Sequence, residues 1–161
     1  MGVGEFDWPT WEKRQRAALD AIPGGSAVME HFGFVPSFHD AEILRLDLQR
    51  DKPSTIQVFT WKSDPDVDPC LFTITIGTLV DLLLDGFSIQ NVVYEIAFEM
   101  AAPSQPDRTN FYFATGRPQD EVGITFGPCY GVDGFIRALD VSLSVEPLPR
   151  SLSPSPRPHS P

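Results

Sequence analysis

Leu71-Phe72-Thr73-Ile74-Thr75-Ile76 alternates apolar and hydroxyl-bearing residues with a period of two. Phe72, Ile74 and Ile76 fall on one face of an extended chain and Thr73 and Thr75 on the other, the pattern of a strand with one buried face. Just upstream, the run from Thr55 to Trp61 places Ile56 and Val58 opposite Phe59 and Trp61, so both of its faces are expected to be at least partly covered. A loop from Lys62 to Pro69 joins the two runs, which should pair antiparallel. Further back, Leu44, Leu46 and Leu48 alternate with Arg45, Asp47 and Gln49, which reads as a strand with the leucines inward, turned by Lys52-Pro53-Ser54.

Downstream, Gly77 ends or bulges the strand. Thr78 to Asp85 fits either a helical turn or a buried strand, and we read Leu82 to Leu84 as strand. Val92 to Met100 is a strand with Tyr94, Ile96, Phe98 and Met100 on one face and Glu95 and Glu99 towards water. Asn110 to Thr115 and Glu121 to Phe126 flank Gly116-Arg117-Pro118 and should form a hairpin, with Gly127-Pro128-Cys129-Tyr130-Gly131 as a tight connection. Leu139, Val141, Leu143 and Val145 mark a last strand. At the start, Thr10 can cap a helix from Trp11 to Ala21 that Pro23-Gly24-Gly25 stops; a second helix runs from Ser26 to Phe32 with Gly33 past its end. The expectation is an α+β fold: a mostly antiparallel sheet of about seven strands with one or two N-terminal helices. It forms one domain over residues 1–146, followed from Pro147 by a disordered tail in which proline alternates with serine.

The 161 residues are 42% hydrophobic, enough for one core. No apolar run approaches the ~20 residues of a bilayer-spanning helix, and Glu5 and Asp7 stand where an export signal has a basic head. Cys70 and Cys129 lie far apart with no CxxC, so they read as reduced thiols and the compartment as cytoplasmic. With 22 Asp and Glu against 12 Lys and Arg, the net charge of −10 opposes nucleic-acid backbones and anionic lipid and favours basic proteins. The same acidity also serves plain solubility.

Two acidic clusters are candidates for partner binding. Phe38, His39, Asp40 and Glu42 lie in a polar segment ahead of the first strand, where on a regular strand His39 would face away from Asp40 and Glu42. Asp40 capping a turn and His39 bonding a backbone carbonyl is the structural alternative. A metal- or ligand-binding hydrolase using His39 with Asp40 or Glu42 is the alternative function. Asp64, Asp66 and Asp68 alternate through a proline-bracketed loop that lacks the glycine hinge and terminal glutamate of a calcium loop. No GxSxG, P-loop or dinucleotide fingerprint is present, so neither catalysis nor a cofactor is expected. Trp8, Trp11 and Trp61 read as core or as interface anchors, core being the commoner use.

Residues 32–43 (Phe-Gly-Phe-Val-Pro-Ser-Phe-His-Asp-Ala-Glu-Ile), then Asp85-Gly86-Phe87, Gln90-Asn91-Val92 and Ile124-Thr125-Phe126-Gly127-Pro128-Cys129-Tyr130-Gly131, resemble the Immunity protein 50 family. Val35 stands where the family pattern places an aromatic. The resemblance spans roughly Gly25 to Val145 and implies a bacterial polymorphic-toxin system, in which such a protein is made beside a toxin and neutralises it by binding. It implies no catalytic residues.

Overall fold

A computed structural model describes residues 7–60, 67–100 and 120–148. In chain order these form α1 (Trp8–Ala21), α2 (Gly25–Phe32), β1 (Glu42–Asp47), β2 (Ser54–Thr60), β3 (Cys70–Asp85), β4 (Val92–Met100), β5 (Val122–Tyr130) and β6 (Asp133–Pro147). Every strand pair is antiparallel, and the sheet closes into a barrel in the order β1-β2-β3-β6-β5-β4. The α+β class is as expected, with six strands among the described residues in place of about seven. None of the described helices is long and apolar enough to cross a membrane.

The strand count falls because residues 71–76 and 82–84 belong to one strand. β3 runs unbroken through Gly77, which lies against Asp140 of β6, between the Ile76–Val141 and Thr78–Leu139 pairs. A Cβ at position 77 would stand 2.6 Å from that of Asp140, so this glycine supplies clearance and does not end the strand. Residues 122–126 are paired to β4 on one side and β6 on the other. No edge is left for the expected hairpin with Asn110 to Thr115, which themselves lie outside the described residues. β5 also continues through Pro128 and Cys129, and the chain turns only at Gly131-Val132. Pro128 is tolerated because it sits at a register shift against β4, past the last pair with β6.

Two bulges change which side chains face inward. A register shift between Ile43 and Arg45 buries Ile43 and leaves Leu44 53% exposed, while Leu46 beyond the shift packs against the core as its alternation requires. In β4 the shift between Val93 and Glu95 turns Tyr94 outward while Val93, Ile96 and Phe98 are buried. Glu95 is half-buried, accepting a hydrogen bond from the Trp11 indole. Trp11 packs against the core; Trp8 stacks on it at 4.9 Å and is largely exposed, and Trp61 is outside the described residues.

α1 begins at Trp8, three residues earlier than expected, because Asp7 is its cap. The Asp7 carboxylate accepts from the hydroxyl and the backbone N–H of Thr10, and Pro9 occupies the first turn, where its missing amide is no loss. Those hydrogen bonds hold the Asp7 carboxyl below its ordinary value, so the cap is intact above the unfolded carboxyl range and weakens as pH falls through the folded pKa. α2 ends at Gly33 as expected, with φ 75° and its N–H on the Met29 carbonyl.

The helices close the strand edges that the ladders leave open. α1 packs against β4 and α2 against β6. Buried Gln15 acts as a piece of strand: its Oε1 accepts from Phe98 N–H at 2.8 Å and its Nε2 donates to the Ile96 carbonyl at 3.2 Å. Leu143 N–H of β6 donates to the Pro23 carbonyl at 2.8 Å. Leu19, Ile22 and Val28 then join Ile56, Phe72, Ile74, Ile96 and Ile124 in one core. Cys70 and Cys129 are both free thiols; burial raises the pKa of Cys70 against a partly offsetting hydrogen bond with Thr60.

Gln15→Ala should destabilise the chain by about 3 kcal/mol, from roughly two buried backbone groups losing their partner at ~1–3 kcal/mol each. Urea unfolding followed by tryptophan fluorescence measures this, and a loss below about 0.5 kcal/mol would contradict the role given to Gln15.

Candidate partner-binding surface

The segment ahead of β1 forms the seam of the barrel. β1 meets β4 at the Glu42–Val92 pair. Around it, Ile96 N–H donates to Ser37 O (3.0 Å), Asp40 N–H to Val93 O (3.0 Å), Val93 N–H to Ala41 O (2.9 Å) and Ile43 N–H to Asn91 O (2.8 Å). The segment is a turn and not a regular strand: Phe38 and Asp40 have φ of 62° and 64°, and Ala41 N–H returns to the Phe38 carbonyl.

That turn separates the predicted binding residues by destination. Phe38 is 4% exposed, stacked on Phe72 at 4.7 Å with Phe32 and Phe98 edge-on, so its ring belongs to the core and cannot meet a partner directly. His39 and Asp40, expected on opposite faces, are brought together by the two left-handed residues. Nδ1 of His39 lies 3.0 Å from Oδ2 of Asp40, both are exposed, and the imidazole meets the Tyr94 ring edge-to-face at 4.9 Å. The partner of His39 is therefore a carboxylate and a ring, where a backbone carbonyl was the alternative. Glu42 is half-buried at the start of β1. Asp68 is exposed between β2 and β3, and its carbonyl lies 3.0 Å from Nε2 of His31 on α2. Asp64 and Asp66 lie outside the described residues. Among the described residues no group of three or more His, Cys, Asp or Glu side chains could hold a metal ion.

A further surface borders His39 and Asp40. The β3–β4 connection and the β5–β6 turn abut: Asp85 pairs with Asp133, Val92 with Tyr130, and Gly131, at φ 86°, packs against Gln90 and Asn91. A side chain at Gly131 would be strained and would stand 2.7 Å from the Gln90 carbonyl, so only glycine lets the two connections close on each other. Asn91 is buried and fixes its own loop, its Oδ1 accepting from Ser88 N–H at 2.9 Å and its Nδ2 donating to Ser88 O at 2.8 Å. On this braced end Ile89 is 97% and Tyr130 71% exposed, and Phe87 and Tyr94 are also outside. Val93 joins the two regions, since its carbonyl takes the Asp40 N–H while β4 carries Tyr94 beside it and pairs with β5 on its far side.

The chemistry of this surface is apolar and aromatic with a carboxylate border of Asp40, Asp85 and Asp133. Residues 79–100 and 120–136 contain no lysine or arginine. Next along β6, Arg137 is buried and bonded through Nε to Glu121 at 2.7 Å. Those base-free stretches, and Phe87 and Ile89 within a Gly-Phe-Ser-Ile-Gln connection, were signals available in the sequence. Comparisons of the chain with protein-family models, curated proteins and solved structures give no match. The resemblance to the Immunity protein 50 family therefore rests on the residues quoted for it.

Phe38→Ala should cost about 3–5 kcal/mol, as for a buried phenylalanine. His39→Ala should leave stability within about 0.5 kcal/mol, as for an exposed position. Thermal or urea unfolding of the two variants separates the core residue from the surface residue, and equal losses would contradict the division.

Proposed function

We propose that this chain is an immunity protein that binds and neutralises a cognate, basic bacterial toxin by protein–protein contact. The observation that carries the reading is the exposed set of Phe87, Ile89, Tyr94 and Tyr130, bordered by carboxylates and held on a braced barrel end. Exposed apolar patches with a polar rim mark interaction sites, and aromatic residues dominate the buried centres of interfaces. The acidic border speeds encounter with a basic protein and disfavours nucleic acid and anionic lipid. The polar segment that carries the family resemblance presents His39 and Asp40 at the edge of this surface. Residence in the cytoplasm, part of the same proposal, lets the chain meet its toxin before the toxin meets a target. Binding alone suffices, and no cofactor or turnover enters.

Co-expression with the toxin encoded beside it tests the proposal. Growth should be restored and the two proteins should co-purify; a toxin that kills equally with and without this chain would overturn it. Tyr130→Ala and Ile89→Ser should each weaken the complex by about 2 kcal/mol, roughly 30-fold in Kd, with melting of the free protein unchanged. Titration calorimetry and thermal unfolding of the same variants read the two quantities.

A further inference from the structure

β3 outruns its neighbour. Its pairing with β2 begins at Cys70 and ends at the Ser54–Ile76 pair, whereas its pairing with β6 continues to Asp85. Residues 78–85 therefore have β6 on one side and, among the described residues, no strand on the other. The Leu83 carbonyl faces β6, lying 1.9 Å from where a Cβ on Gly134 would stand, so strand alternation turns the Leu82 backbone groups to the open side, where the Leu82 N–H donates to the Asp81 carboxylate at 2.9 Å. Strand alternation sends the Leu84 backbone groups the same way. Protein edges that must stay unpaired are blunted by charge, most often lysine, by proline, by a bulge or by brevity. Here the bulge between Leu79 and Asp81 lies upstream, and Asp81-Leu82-Leu83-Leu84-Asp85 beyond it has neither lysine nor proline, carries only acidic charge, which repels acidic strands and not basic ones, and leaves Leu83 64% exposed.

We infer that this edge receives an extended segment of the partner protein, added to the barrel as a further strand, with basic residues on one face and apolar residues on the other. The inference deepens the immunity reading and rests on it for the partner's identity alone. Asp81, Leu83 and Asp85 alternate onto one face, and Leu82 and Leu84 onto the other. A strand laid alongside would put its basic residues on the face of the two carboxylates and its apolar ones opposite Leu82 and Leu84. Asp85 also stands directly across from Asp133, a like-charge pair that an incoming cation would relieve. Asp81 is less free, since Arg137 Nη1 lies 3.8 Å away, so Asp85 and Asp133 form the main cation anchor.

Other occupants fit less well. A second copy pairing antiparallel about Leu83 would set Asp81 against Asp85 twice, between two chains of net charge −10. Pro147 and Leu148 are already engaged at the start of β3, Pro147 paired with Cys70 and Leu148 N–H on the Pro69 carbonyl, and the sequence from Pro149 onward is interrupted throughout by proline, which has no amide to give a ladder.

The probe is an octapeptide alternating lysine and valine, added to the isolated full chain, with amide hydrogen exchange read by NMR. At saturating peptide the Leu82 and Leu84 amides should exchange at least tenfold more slowly; a glutamate–valine octapeptide should have no effect. Leu82→Pro should abolish the protection while keeping the fold, because its amide is not in the β6 ladder. Leu83→Lys, at an exposed position, should weaken peptide binding at least threefold and guards against misfolding of the proline variant. No slowing at Leu82 and Leu84, equal slowing by the glutamate peptide, or protection that rises with protein concentration alone would overturn the inference, the last by naming a second copy as the occupant. A toxin that binds wild type and Leu82→Pro equally would also overturn it while leaving the immunity reading intact. Failure of growth rescue would remove that reading without touching the peptide result.

Discussion

Closure of the barrel runs through a short seam in which backbone groups of residues 37–43 bond those of residues 91–96. β1 offers β4 only one paired residue, so without this irregular segment the buried Val93 and Ile96 amides of β4 would lack acceptors. Above the seam the same requirement is met by a side chain, Gln15, and across the barrel by the Pro23 carbonyl on Leu143. The helices are thus more than a lid of apolar side chains. Each also supplies, itself or through its connection, the polar group that a strand edge lacks, which is why α1 packs on β4 and α2 on β6.

The seam has a conformational cost. Phe38 and Asp40 both adopt left-handed backbone angles, worth ~1–3 kcal/mol each for non-glycine residues. The stack of Phe38 on Phe72, its edge contacts with Phe32 and Phe98, and the hydrogen bonds on either side offset it. The geometry that drives Phe38 inward also turns His39 and Asp40 outward, side by side, against Tyr94. One strained turn therefore serves stability through its first residue and surface chemistry through the next two.

What was legible in the sequence followed from period two. Phe72, Ile74 and Ile76 are buried as their alternation requires, as are Val141 and Leu143, and Gly33 ends α2. The departures from that pattern share a cause, which is that local rules assume regular strands. One extra residue in β1 and one in β4 reversed the facing of Leu44 and Tyr94. Gly77 and Pro128 looked like breaks, yet one fills a steric need opposite Asp140 and the other sits at a register shift. The site was harder still. Polarity marks residues 37–42, yet Phe38 within them is internal, while Phe87 and Ile89 in a connection carry no local pattern that sets them apart from core residues. Their exposure depends on Gly131 and Asn91 bracing two connections that are distant in sequence, which no local pattern encodes.

Among the described residues, charge is distributed unevenly. The exposed bases among the described residues, Lys13, Arg14, Arg16, Arg45, Arg50 and Lys52, sit on α1 or around β1 and the β1–β2 turn. Two of them are already matched, Arg16 to Glu12 and Arg45 to Asp47. Over residues 79–100 and 120–137 the single base is Arg137, withdrawn from solvent onto Glu121, so its charge does little to soften the field of Asp85 and Asp133. A basic partner would be turned by that asymmetry towards the end that carries Ile89 and Tyr130. Long-range attraction and short-range apolar contact then select the same face. For a protein proposed to intercept a toxin before it reaches its target, that coincidence matters more than total charge, because it converts encounter rate into correctly oriented binding.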